Sequence, residues 1–220
     1  MPIPESEFKP EVAEMIRRMV PSFTQQEPMS EEERAARMAE VKVNAEEEEK
    51  QRELSALRRL GIPPRYYESL VENWIADSKE KKDALLQVVN NIWKENLFIT
   101  GNAGTGKTHL AYGFVKRGAT YRRLPDIFRE VRQDFDSEND VLDFLGRVKL
   151  LIIDEIGRTK FSDFERNLFF EIVDRRYNNM VPMTLITNLT ENEFAEQYGT
   201  AVMDRLRPIL VKFNWKSRRK

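Results

Sequence analysis

Eight consecutive residues carry the strongest chemical signal in this 220-residue chain: Gly101-Asn102-Ala103-Gly104-Thr105-Gly106-Lys107-Thr108. They fit the spacing G-x-x-x-x-G-K-[ST], which is a phosphate-cradling loop when it joins a strand to a helix. Glycines let the backbone wrap close to phosphate oxygens and turn its N–H groups inward. The following helix N-terminus adds positive potential. Lys107 would reach the β and γ phosphates and the Thr108 hydroxyl would bind Mg²⁺. A second signal is Leu150-Leu151-Ile152-Ile153-Asp154-Glu155, an apolar run that delivers two acids at its end. Asp154 is placed to hold Mg²⁺, and Glu155 either polarises a water for in-line attack or is a solvated strand-end acid. Asn188, after Met183-Thr184-Leu185-Ile186-Thr187, reads as a hydrogen-bond donor to the γ-phosphate or attacking water, or as a turn residue. Arg205 and Arg207 supply planar forks suited to a phosphoryl transition state, with a salt bridge to Asp204 or a surface acid as the plainer reading. His109 reads as packing beside the phosphate loop.

These groups need a scaffold that brings strand ends together. Asn96 to Thr100 is a short apolar run, Thr108 to Lys116 a helix stopped by Gly118, and Val148 to Ile153 a strand covered on both faces. Phe161 to Tyr177 has helical spacing, and Met183 to Thr187 is another buried strand. Strands alternating with helices imply an α/β fold: a parallel sheet with right-handed crossovers and helices on both faces. Upstream, Val12, Met15, Ile16, Met19 and Val20 form one apolar face of a short helix before Pro21, suited either to its own small bundle or to a partner. Ser30-x-x-Glu33 is a capping box that opens a second helix, closed by Gly61 and Pro63-Pro64. Glu46 to Glu53 is charged all round and therefore solvated. This divides the chain into an N-terminal helical segment and linker, residues 1–60, and a nucleotide-binding domain, residues 61–220.

Composition narrows the classes. The chain has no cysteine and one histidine, which excludes disulfide frameworks, Cys-based zinc sites and thiol nucleophiles. With 36 basic and 37 acidic residues the net charge is -1, so no uniform basic coat exists. The charge is nonetheless polarised. Residues 1–60 carry 14 Glu against 10 Lys plus Arg, while the last 20 carry one acid against seven bases. No apolar run reaches the roughly 18 residues of a membrane helix, and the start lacks the basic and apolar regions of a signal peptide. A soluble cytoplasmic protein is the expectation.

Gly101 to Thr108, Leu151 to Gly157, Glu171 to Tyr177 and Thr187-Asn188 together resemble the DnaC/IstB branch of the AAA+ ATPases. The tail from Val202 to Arg207 and from Phe213 to Arg219 resembles the same branch, as do Met15 to Pro21 and Gly61 to Tyr66. The resemblance implies a Walker A lysine and threonine at Lys107 and Thr108, Walker B acids at Asp154 and Glu155, sensor 1 at Asn188, an arginine finger at Arg205 and sensor 2 at Arg219. It also implies single-stranded DNA contacts at Arg132, Phe135, Ser162 and Phe164, where the two phenylalanines are equally readable as core. Only 32 residues follow Asn188, too few for a full helical lid.

The resemblance implies an ATP- and Mg²⁺-dependent helicase loader. Met15, Ile16 and Met19 would dock on a replicative helicase hexamer, and the ATPase domains would assemble side by side around single-stranded DNA. Two other readings share this core: a transposition ATPase that regulates a transposase on duplex DNA, and an adaptor or inhibitor of the helicase ring that binds ATP without hydrolysing it.

Overall fold

The computed structural model describes residues 30–157 and 162–217, with Pro10, Glu11 and Glu14. The helix expected over residues 12–20, with its docking residues Met15, Ile16 and Met19, lies outside the described residues, as does Arg219.

The chain divides into two compact units, residues 1–55 and 56–220. Helix α1 (Glu31–Arg59) opens with the anticipated capping box. The Glu33 amide donates to Ser30 Oγ at 3.1 Å, and the Ser30 amide donates to the Glu33 carboxylate at 2.9 Å. Leu57 is the one buried residue of α1, packed with Ile62, Tyr112 and Val115. The last turn of the helix therefore belongs to the second unit.

The second unit is a five-stranded, all-parallel sheet. In chain order it runs through α2 (Lys79–Asn91), β1 (Leu97–Gly101), α3 (Lys107–Val115), β2 (Thr120–Arg123), α4 (Leu124–Gln133), α5 (Glu138–Arg147), β3 (Leu151–Ile156), α6 (Asp163–Asn178), β4 (Met183–Thr187), α7 (Glu191–Tyr198), α8 (Thr200–Leu206) and β5 (Ile209–Phe213). The strand order is β2-β3-β4-β1-β5. The three strands expected from apolar runs are the three central ones. β2 and β5 close the edges and were not expected.

Both faces of the sheet are covered. Phe98, Leu151, Ile153 and Leu185 pack with α4, α5 and α6, while Leu97, Ile99, Ile152 and Ile186 pack with α2 and α3. This alternation explains why the central strands read as continuous apolar runs. The order places β1 between β4 and β5, so two consecutive strands lie on opposite sides of β1. Ligands of open α/β sheets bind at the carboxyl ends beside such a reversal.

Candidate nucleotide site

A cleft of about 480 Å³ opens at the carboxyl ends of β1, β3 and β4. Its lining includes Ala103 to His109, Asp154, Glu155, Thr187 and Asn188, so residues from three separate motifs meet in one place. The volume lies within the range usual for small-molecule sites.

The loop between β1 and α3 is held from behind. Gly106 has φ 98°, a conformation open to glycine, and a Cβ there would lie 2.7 Å from Trp74 Nε1. Two indoles grip the loop: Trp74 donates to the Gly106 carbonyl at 3.1 Å, and Trp215 donates to the Thr105 carbonyl at 2.9 Å. Trp74, Phe213 and Trp215 pack edge to face and tilted at 4.7–5.7 Å. Lys107 is buried, and its ammonium donates to the carbonyls of Gly101 (2.6 Å) and Asn102 (2.8 Å) and to Asn188 Oδ1 (2.9 Å). That last bond joins the loop to the end of β4, where Asn188 was expected to reach the phosphate site.

Asp154 and Glu155 are consecutive, and in a regular strand they would point to opposite faces. Here both line the cleft. The β3–β4 register shifts between Ile153, paired with Leu185, and Ile156, paired with Thr187. Asp154 and Glu155 of β3 thus stand opposite Ile186 alone of β4, and Glu155 adopts φ 62°. This bulge re-aims the two acids. Asp154 Oδ2 accepts from Thr108 Oγ1 at 2.8 Å and from the Tyr121 hydroxyl at 3.0 Å, while Oδ1 accepts from the Glu155 amide. Asp154 is buried, and burial raises its carboxyl above the ordinary value, partly offset by these donors. A buried carboxylate beside a threonine hydroxyl, both hard oxygen donors, fits a Mg²⁺ ion that takes its remaining ligands from water and phosphate. Glu155 is held by Arg123, whose guanidinium lies 2.6 Å from its carboxylate.

His109 lines the cleft and is held on both ring nitrogens, by Ser69 Oγ (3.2 Å) and Asn73 Oδ1 (3.0 Å). These bonds belong to a larger attachment, in which residues 62–75 run along α3. Tyr66 stacks on Tyr112, Lys116 donates to the Tyr67 carbonyl, and Arg117 pairs with Glu72. Gly113 permits the contact, because a Cβ there would meet the Val71 amide at 2.8 Å.

The remaining candidates lie elsewhere. Arg205, on α8, is paired with Asp174 of α6 at 2.5 Å and lies 4.5 Å over the Phe170 ring. It is not part of the cleft lining, and its acid partner is Asp174, while Asp204 pairs with Arg207. Ser162 caps α6 in a reciprocal box with Glu165, and Arg132 pairs with the same Glu165 at 2.8 Å. Two of the four expected DNA-contacting residues are thus brought together through one carboxylate. Phe164 is half-buried against the core, and Phe135 begins a short 3₁₀ turn (Phe135–Ser137).

Sequence reasoning missed Trp74, Trp215, Tyr121 and Arg123. The capping role of Ser162 was legible, since Ser162-x-x-Glu165 repeats the Ser30-x-x-Glu33 pattern. The others reach the site only through tertiary contact.

The sequence of the IstB-like ATP-binding protein family matches this chain over residues 13–208. The chain belongs to that family. Replicative helicase loader DnaC of Escherichia coli (strain K12) is 31% identical to it over 179 residues, covering 73% of each chain. YdaV of the same strain is 31% identical, covering 94% of this chain and 92% of YdaV. The crystal structure of the DnaC helicase loader superposes with a TM-score of 0.59 at 22% identity, covering 68% of this chain and 99% of that one. This IstB-like protein therefore has the AAA+ P-loop fold, and no helix among its described residues is long and apolar enough to cross a membrane.

Proposed function

We propose that this IstB-like protein is an ATP-dependent loader of a replicative DNA helicase. The observation that carries the reading is the cleft joining Lys107, Thr108, Asp154, Glu155 and Asn188 in a chain similar to DnaC across 73% of both. Met15, Ile16 and Met19 dock on the helicase hexamer, and the ATPase units assemble side by side on it and hold single-stranded DNA near Arg132, Phe135, Ser162 and Phe164.

Loop amides and Lys107 bind the β and γ phosphates, and Lys107 exchanges its carbonyl partners for phosphate oxygens. Asn188, already bonded to Lys107, orients the attacking water. Glu155, once released by Arg123, accepts the water proton as the new P–O bond forms and the bond to the ADP oxygen breaks. Thr108 and Asp154 would hold Mg²⁺, which when bound would neutralise charge on the phosphates. Arg205 leaves Asp174 to meet the γ-phosphate bound by a neighbouring protomer.

The test is the mass of the complex formed with the host replicative helicase in ATP and Mg²⁺. Wild type forms a stable complex on the hexamer, and a Met15→Ala, Ile16→Ala, Met19→Ala variant does not. Absence of a complex from a protein that binds ATP normally overturns the loader reading. The family match supports a second reading, a transposition ATPase. It predicts no helicase complex and instead long filaments on duplex DNA.

A further inference from the structure

We propose that Tyr121 is a positioning residue for the metal-binding carboxylate, and that a stack of tyrosines ties that carboxylate to the segment at Arg65–Tyr66. The inference rests on the reading of Asp154 and Thr108 as the Mg²⁺ site.

Three donors fix the Asp154 carboxylate: the Thr108 and Tyr121 hydroxyls and the Glu155 amide. Thr108 would share the metal, and the Glu155 amide belongs to the same bulge as the carboxylate. Tyr121 is the donor whose side chain is anchored elsewhere. Its hydroxyl donates to Asp154 Oδ2 at 3.0 Å. Such outer partners set the orientation and affinity of metal ligands.

The anchor is an aromatic column. The Tyr121 ring lies 4.5 Å from Tyr112, and Tyr112 lies 4.5 Å from Tyr66 with planes 27° apart. The Arg65 guanidinium caps the far end, 5.0 Å over the Tyr66 ring. Leu57 and Ile62 pack against the middle of the column. Faces packed this closely leave no slack, so a shift of residues 57–66 displaces Tyr112, then Tyr121, then the carboxylate. The column crosses α3 and reaches Asp154 without passing through the phosphate loop. The position of the segment following α1 therefore bears on metal affinity through the carboxylate, while Arg65 and Tyr66 also line the cleft itself.

Calorimetric titration of the full chain with a non-hydrolysable ATP analogue, at stepped Mg²⁺ concentrations, tests this. Tyr121→Phe is expected to raise the Mg²⁺ midpoint about tenfold and leave metal-free nucleotide affinity unchanged. Tyr112→Leu, which removes the middle ring of the column, shifts the midpoint the same way, and Tyr112→Phe, which keeps the ring but loses the hydroxyl that bonds Tyr121, shifts it less. An unshifted midpoint in Tyr121→Phe, or in Tyr112→Leu, overturns the proposal. So does a parallel loss of metal-free affinity, which marks simple packing damage. A wild type that binds the analogue with no benefit from Mg²⁺ overturns the assignment of the metal site itself.

Discussion

Arg123, the last residue of β2, donates to the Glu155 carboxylate at 2.6 Å. The pair exists because β2 and β3 run in register, with Arg123 opposite Asp154, and because the bulge swings Glu155 into the cleft. Both side chains are partly exposed, 41% and 27%. Ion pairs so placed are worth about 1 kcal/mol or less, so the restraint on Glu155 is easily exchanged. Arg123→Ala is predicted to raise basal ATP turnover by up to about fivefold and to reduce stimulation by DNA. Steady-state phosphate release with and without a single-stranded oligonucleotide measures this, and lowered basal turnover would show that Arg123 supports the reaction.

Lys107→Ala removes a buried cation aimed at the phosphate site. Two lost charge-assisted bonds, each about 1.5–3 kcal/mol, predict at least a 100-fold loss of nucleotide affinity by calorimetry. Retained affinity would exclude the loop as the phosphate cradle.

Asp154 makes stability depend on pH and metal. Burial raises its folded-state carboxyl above the ordinary 3.8, so the folded state holds this proton to higher pH than the unfolded chain does. The penalty is absent below the unfolded value and grows as pH rises through the folded one. Asp154→Asn cannot ionise and is predicted to melt about 2–4 °C higher than wild type at neutral pH without metal. The gain shrinks as pH falls. With Mg²⁺ and nucleotide the order reverses, because the ligands stabilise wild type alone. Thermal melts at several pH values test the sign.

Arg176 is buried in the sheet-facing side of α6, where its guanidinium donates to the carbonyls of Leu145, Val148 and Pro182. Burial lowers its pKa to about 10. Arg176→Met leaves three carbonyls without this donor, at about 1 kcal/mol each, and is predicted to lower Tm by about 6–12 °C without changing nucleotide affinity in the folded protein.

Arg205→Ala is expected to spare nucleotide binding and abolish DNA-stimulated turnover. Because the finger and the cleft would come from different protomers, mixing Arg205→Ala with Lys107→Ala protein should recover part of the turnover. Two inactive variants that stay inactive when mixed would rule out action between protomers.

Local patterns were enough for much of this fold. The phosphate loop lay between a legible strand and helix, and Ser30 and Glu33 announced the start of α1. What stayed hidden depends on pairing at a distance. The edge strand β2, Thr120-Tyr121-Arg122-Arg123, is four residues long, half-buried and half basic, so its Thr and Tyr alone are too short a signal to mark it as a strand. Tyr121 and Arg123 could be recognised as neighbours of Asp154 and Glu155 only once β2 lay beside β3. The bulge is likewise invisible, since nothing in the pair Asp154-Glu155 shows that the register shifts there. Trp74 and Trp215 flank the sheet in sequence and meet only behind the loop.

The grip of those two indoles makes the protein its own reporter. Of its three tryptophans, two donate directly to the carbonyls of Thr105 and Gly106, while Trp93 stands apart beneath Lys149 at 5.5 Å. Any rearrangement of the loop around phosphate changes the polarity felt by two of the three fluorophores and leaves the third as a baseline. Intrinsic emission can therefore follow occupancy in real time, in unlabelled protein and within an assembly whose other members lack a tryptophan at such a loop.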